Sequence, residues 1–341
     1  GASSHAAIIA RGLGVPMISS ADPAVLAAVP GQRAALDADA GELVVGGAGH
    51  DAAWRLAGQH APGPEAGPAA PADDGPVRTA AGTAITVQCN VASVPETRRG
   101  LAAGAAGVGL LRTEIPYTES ADWPTLDRQR AQLAPILALL PGKAATVRLL
   151  DFSGDKIPPF LRGPGLAALL GHPTALADQL RAILGTGRDT RLRILIPMVR
   201  ARGEISRVRD VLAAVAADAG VPAPPVGIMV ELAATAARAA EFAAAADFFS
   251  IGTNDLAGDV LGLARDDPAA GPALAADPRV LALVGQVADA GRDAGIDVSV
   301  CGDAAADLSV LPLLVAAGIR TVSVAAARVS GVRSGIGGLT V

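Results

Sequence analysis

One pattern runs through most of this sequence and leaves few folds open to it. After residue 82, short apolar runs alternate with Ala/Leu-rich stretches of helical composition. The runs cover 85–89, 107–111, 146–150, 193–198, 226–230, 247–251, 296–300 and 321–324, eight in all. Each has the length of a buried strand, and the stretches between them, such as 123–140, 174–184, 204–217 and 280–294, have the length of helices. Eight strand–helix units over about 260 residues predict an α/β fold closed as a (β/α)8 TIM barrel. An open doubly wound sheet is the competitor, but no GxGxxG follows the first run.

A barrel of this kind places its chemistry just past the C-terminal ends of the strands. The polar residues fall there. The second run is followed by Arg112, Thr113 and Glu114; the third contains Arg148 and is followed by Asp151, Asp155 and Lys156. The fifth ends in Glu231, the sixth in Asn254 and Asp255 with Arg265 in the next loop, and the seventh in Cys301, Gly302 and Asp303. Two strands that each end in an acid, Glu231 and Asp255, predict oxygen ligands converging on a hard divalent cation. The competing reading makes each an ordinary helix-start acid. Guanidinium groups on the same rim suit a small, doubly anionic substrate. Cys89, at the end of the first run, reads as an inert core thiol, and His172 has no evident partner.

The start of the chain is different. Ser3 or Ser4 caps a helix through Arg11 that stops at Gly14 and Pro16, which puts His5 beside unpaired N–H groups at the positive end of that helix. An imidazole there could carry a phosphoryl group. Residues 37–41 form a turn between apolar runs, so a hairpin is expected to end at Val45. Between Gly46 and about Gly82 the composition turns to Pro, Ala and Gly, a linker that holds one short helix. The expected division is therefore 1–46, a linker region 47–82, and a barrel 83–341. Gly1 stands inside a motif and is not Met, so the sequence is expected to begin downstream of the biological start.

Charge narrows the functional classes. With 28 basic against 33 acidic residues, a net of −5, binding to nucleic acid through phosphate neutralisation is not expected. Two widely spaced cysteines make no zinc or disulfide pattern and fit a reducing cytoplasm. No apolar run approaches the length of a bilayer span.

Taken in order, several motifs resemble Enzyme I of the bacterial phosphoenolpyruvate:sugar phosphotransferase system. They are Ser4-His5-Ala6-Ala7-Ile8-Ile9-Ala10-Arg11, Gly109-Leu110-Leu111-Arg112-Thr113-Glu114, Asp151 with Gly154-Asp155-Lys156, Ile196-Pro197-Met198-Val199, Gly227-Ile228-Met229-Val230-Glu231, the 247–256 run, and Cys301-Gly302. The resemblance implies a barrel preceded by part of a swivelling phosphohistidine domain. It implies that phosphoenolpyruvate binds with Mg²⁺ on Glu231 and Asp255, held by Arg112, Arg148, Lys156, Asn254 and Arg265. The phosphoryl group would pass to His5 and on to the phosphocarrier protein HPr, and Cys301 would protonate the enolate to pyruvate. A homodimer through the barrel is also implied. Pyruvate phosphate dikinase and phosphoenolpyruvate synthase are the nearest alternatives, and a non-catalytic phosphoenolpyruvate-binding relative is a third. Three departures stand out. The loop after Lys156 is short, leaving Arg162 as its one arginine; Ala257-Gly258-Asp259 replace polar and aromatic residues; and Asp303 stands where the family has Glu.

Overall fold

The structure, a computed structural model, describes residues 17–18, 21–29, 31–32, 34–37, 42–45, 73–152, 158, 160–161, 165–263, 267 and 271–341. The chain divides into two compact units, 1–71 and 72–341.

In the first unit β1 (Ala34–Asp37) and β2 (Glu42–Val45) pair antiparallel, from Ala34 opposite Val45 to Asp37 opposite Glu42. This is the hairpin the turn chemistry of 37–41 predicts. A single 3₁₀ turn, Pro23–Ala27, starts where Asp22 accepts a hydrogen bond from the Ala24 N–H. The helix expected around His5 lies outside the described residues.

The second unit is the barrel. Its strands are β4 (Ala84–Val91), β5 (Gly107–Leu111), β6 (Ala144–Arg148), β7 (Arg191–Ile196), β8 (Val226–Val230), β9 (Phe248–Ile251), β10 (Asp297–Val300) and β11 (Thr321–Ala325). Each pairs parallel with the next, and β11 returns to β4 with Thr321 opposite Thr86, which closes the ring. A two-residue strand, β3 (Val77–Arg78), pairs antiparallel with the first residues of β4. The described residues from Asp73 to Gly82 thus belong to the barrel unit. The third and fourth strands begin and end two residues earlier than their apolar runs suggest. Leu149 and Leu150 are buried beyond the end of β6, so hydrophobicity continues after pairing stops.

Helices cover the outside. Those that matter below are α1 (Val94–Ala102), α2 (Leu126–Leu137), α3 (Gly165–Leu170), α4 (Pro173–Thr186), α5 (Arg202–Ala219), α6 (Ala233–Ala236), α7 (Ala239–Ala243) and α8 (Thr253–Leu261). Alternation along the strands sorts the core into two. Ile85, Val87, Cys89 and Val91 of β4 join the large cluster between strands and helices. Leu110, Leu195, Met229, Phe248 and Cys301 form a separate cluster inside the ring. Polar groups share that interior: Ser323 donates to Asn90 Oδ1 at 2.7 Å, and Asn90 Nδ2 donates to the Cys301 carbonyl at 2.8 Å. Gly109 makes room for them, since a Cβ there would stand 2.5 Å from Gln88 Oε1 and from Ser323 Oγ.

Two further features frame the site. At the N-terminal ends of β7 to β10 lies a cleft of about 570 Å³ lined by Arg193, Arg209, Asp247, Phe248 and Asp297 among others. Near the opposite end, Trp123 meets Phe160 and His172 at 5.2 Å each and Phe152 at 5.9 Å, an aromatic cluster in a chain with only 2% aromatic residues. His172 therefore does have partners: its ring also bonds the Ala168 carbonyl through Nδ1 at 2.9 Å.

Candidate active site at the C-terminal rim

Arg148, the last residue of β6, is the hub. Its Nη2 meets Glu114 Oε1 at 2.7 Å and its Nη1 meets Asp151 Oδ2 at 3.0 Å, while Nη1 also lies 3.7 Å from Met229 Sδ. All three charged side chains are buried. Burial pulls the Arg148 pKa down, but the Glu114, Asp151 and Glu231 carboxylates outweigh it and hold the group above its ordinary value. Such a buried triad is weak grounds for stability, because desolvation offsets most of the attraction. Its consequence is a fixed guanidinium in the floor of the rim.

Glu231 follows β8 and is 1% exposed. One oxygen, Oε1, accepts a hydrogen bond from the Met198 N–H at 2.6 Å; the other, Oε2, is buried without a hydrogen-bond partner. Burial pushes its pKa well above the carboxylate range, and the Asp255 and Asp151 charges push the same way against Arg148 and the Met198 N–H. Met198 itself adopts φ 54°, the one positive φ outside glycine among the described residues. A left-handed conformation costs a residue like methionine on the order of 1 kcal/mol or more, and here it aims an N–H at Glu231.

Asp255 sits in the first turn of α8, directly after β9. Gly252, which precedes that helix, could not carry a side chain without bringing its Cβ 3.1 Å from Glu231 Cβ. One turn further, Asp259 Oδ2 accepts from the Ala233 N–H at 2.7 Å, which ties α8 to the start of α6 just past Glu231. The elements bearing the two acids are thus bonded to each other.

Cys301 follows β10 and is buried, its Sγ 3.6 Å from the Ile251 carbonyl. Burial raises its thiol to about 11; the Ser250 hydroxyl, Arg148 and Arg112 pull it down and Glu231 pushes it up. Gly302 is required by closeness: a Cβ there would fall 1.9 Å from Thr253 Oγ1. Across that contact Asn254 Nδ2 donates to Asp303 Oδ2 and Asn254 Oδ1 accepts from the Asp303 N–H, both at 2.9 Å. The side chain of Asn254 is therefore engaged at both ends. Cys89, by contrast, packs outside the ring where a Gly100 Cβ would stand 2.6 Å from its sulfur, and burial raises it to about 12.

Of the residues singled out from sequence, the structure brings together Arg148, Glu231, Asp255 and Cys301, with Arg112 close enough to influence the thiol. Asn254 joins through Asp303. His5, Lys156, Arg162 and Arg265 lie outside the described residues. Sequence reasoning noted Glu114 and Asp151 but did not assign them as the partners of Arg148. Their place immediately after strand ends was the available signal.

Among the described residues no group of three His, Cys, Asp or Glu side chains could enclose a metal ion by itself. A hard cation of the Mg²⁺ type takes one or two carboxylates and fills its remaining positions with water and substrate oxygens. Glu231, with an unpartnered buried oxygen, and Asp255, whose like charge helps to raise the Glu231 pKa, fit that demand.

The geometry defines a class: a (β/α)8 barrel with buried charged side chains gathered at its C-terminal rim. Comparison with known proteins gives the family. Residues 69–340 match the PEP-binding domain of PEP-utilising enzymes and residues 1–41 match their mobile domain. The chain belongs to the PEP-utilising enzyme family and is an Enzyme I-like protein. It is 33% identical over 350 residues to a phosphoenolpyruvate-protein phosphotransferase of Streptomyces coelicolor, covering 98% of this chain and 61% of that one. A multiphosphoryl transfer protein of Rhodobacter capsulatus is 33% identical over 345 residues, covering 98% and 42%. The chain spans between two fifths and two thirds of the length of such relatives. A HpcH/HpaI aldolase/citrate lyase family protein from Burkholderia cenocepacia, 18% identical over 76% of this chain and 92% of that one, superposes with a TM-score of 0.47, too low to bear on function.

Proposed function

We propose that the rim binds phosphoenolpyruvate together with Mg²⁺ and that the complete protein transfers its phosphoryl group to His5 and then to HPr, the entry step of sugar phosphotransfer. The observation that carries this reading is the buried, unpartnered Oε2 of Glu231 beside Asp255 and the two arginines of the rim. Glu231 and Asp255 would hold the cation, which when bound neutralises charge on the transferring group. The Arg112 N–H is held by the Val91 carbonyl at 2.9 Å, and its guanidinium, which makes no hydrogen bond or ion pair among the described residues, is available to a phosphate or carboxylate. Arg148, fixed by Glu114 and Asp151, presents its charge without reorganising. Lys156, Asn254 and Arg265 complete the anion-binding set in this reading.

Transfer breaks the bond between phosphorus and the enol oxygen and forms one from phosphorus to an imidazole nitrogen of His5. The electron pair left behind gives the enolate of pyruvate. Cys301, kept protonated by a pKa raised to about 11, supplies the proton to the methylene carbon, and the thiolate recovers a proton from solvent. A phosphohistidine part over 1–46, a linker and a barrel unit that begins at residue 72, a homodimer through the barrel and a cytoplasmic setting belong to the same reading. No helix among the described residues is long and apolar enough to cross a membrane.

Calorimetric titration of the chain with phosphoenolpyruvate, with and without Mg²⁺, tests the proposal. Binding is expected only with the cation. Equal affinity after chelation removes the metal role, and no binding in either condition removes the substrate.

A further inference from the structure

We propose that Thr113 and Gln179 are positioning residues for this rim: one buried hydrogen-bond relay holds the backbone that carries Arg148 and Asp151 in its binding geometry. The inference rests on the phosphoenolpyruvate reading above.

At Arg148 strand β6 ends, and the chain must leave the ladder and turn toward Asp151. Leu149 still donates to the Leu195 carbonyl at 2.9 Å. The next N–H, of Leu150, donates instead to Gln179 Oε1 at 3.0 Å. Gln179 Nε2 donates to Thr113 Oγ1 at 3.1 Å, and the Thr113 hydroxyl donates to the Arg148 carbonyl at 2.9 Å. The relay therefore starts and finishes on the same three-residue turn. Bonds linked in this way polarise one another.

The choice of residue is informative. Gln179 is 0% exposed and lies on α4 among Leu176, Leu180 and Ile183, where leucine or methionine would pack as well. A buried amide is unfavourable there unless fully bonded, so its bonds are its role. Thr113 is likewise buried and stands between Arg112 and Glu114, so one hydroxyl sets the end of β5 relative to the end of β6. Neither side chain reaches the rim itself. Both act through the placement of Arg148, whose carboxylate partners flank the relay in sequence: Glu114 follows Thr113 and Asp151 follows Leu150.

The test uses the 341-residue chain and four variants: Thr113→Val, Thr113→Ser, Gln179→Met and Gln179→Glu. Phosphoenolpyruvate affinity with Mg²⁺ is measured by calorimetry, and amide exchange over residues 148–152 by mass spectrometry. Thr113→Val and Gln179→Met should weaken binding by roughly 10- to 100-fold and speed exchange at Leu150. Thr113→Ser should recover most of the affinity, and Gln179→Glu, which keeps the acceptor for Leu150 but loses the donor to Thr113, should fall between. Parent-like affinity in Thr113→Val and Gln179→Met overturns the inference. So does a loss in Thr113→Ser as large as in Thr113→Val, which would make packing responsible. If Gln179→Met does not fold, the Thr113 pair decides. A parent chain that binds no phosphoenolpyruvate overturns the functional reading instead, and exchange at Leu150 then still reports whether the relay holds the turn.

Discussion

The two ends of the barrel handle charge in opposite ways. At the N-terminal end Arg209 and Arg193 each have an acid. Arg209 meets Asp247 at 2.8 Å and donates to the Ala245 carbonyl, while Asp247 accepts from the Val226 N–H at 2.6 Å. Arg193 lies over the Phe248 ring at 4.2 Å, donates to Thr146 Oγ1 and reaches Asp297 at 3.4 Å. These groups tie strand starts together and remain partly open to water. At the C-terminal rim, Glu114, Asp151 and Glu231 all act on the one guanidinium of Arg148, and Asp255 acts on Glu231. There Oε2 of Glu231 is buried without a hydrogen-bond partner. Paired charge at strand starts closes a structure; a buried carboxylate oxygen without a bond asks for a ligand. In the proposed reading the difference separates the end that stabilises from the end that binds.

Three experiments would break or sharpen that contrast. The largest effect is expected from Glu231→Ala: loss of several kcal/mol of cation-mediated binding, on the order of 10³-fold in phosphoenolpyruvate affinity, read by calorimetry with Mg²⁺. Asp247→Asn should leave that affinity unchanged, and a comparable loss from it would erase the distinction between the ends. Next comes Arg209→Ala, which removes a partly exposed ion pair and two bonds to a carbonyl. Chemical denaturation should show a cost of about 1 to 2 kcal/mol with unaltered ligand binding. A stability change near zero would mean that the lower charges lock nothing.

The smallest effect concerns the thiols. Both cysteines are raised by burial, Cys301 to about 11 and Cys89 to about 12. The unfolded chain releases these protons from about pH 8.5, earlier than the folded one, so folding stability should decline as pH rises from there toward 11. Alkylation at neutral pH should therefore be slow in the native chain and fast after denaturation. Phosphoenolpyruvate with Mg²⁺ should slow it further at Cys301 but not at Cys89. Protection of both, or of neither, would remove Cys301 from the rim.

Much of this was legible in the sequence because a barrel repeats one demand eight times. Each apolar run named a strand, and the polar residues after it named rim positions, as with Glu231 after Val230 and Asn254 and Asp255 after Ile251. Strand ends were less legible where burial outlasts pairing, as at Leu149 and Leu150. The start of β7 was missed by two residues, since the exposed Arg191 does not look like part of a buried strand. What could not be read was anything carried by distant partners. Gln179 meets Thr113 across 66 positions, and no local pattern marks a helix glutamine as the support of another strand's turn. The strained Met198 gave no signal either, because left-handed backbone is ordinarily announced by glycine or asparagine.

The aromatic cluster near the rim gives the molecule a spectroscopic signature. The chain has two tryptophans, and Trp54 lies outside the described residues. With Trp54→Phe, Trp123 becomes the sole indole, 5.9 Å from the ring of Phe152, which directly follows Asp151. Phe152 and Phe160 bracket the segment that contains Lys156, and both rings touch that indole. Emission from this protein would then report one locality almost without background, since a single tyrosine is the only other strong near-ultraviolet emitter. A chain this poor in aromatic residues carries, in effect, its own fluorescent label at the loop where the anion is expected to arrive.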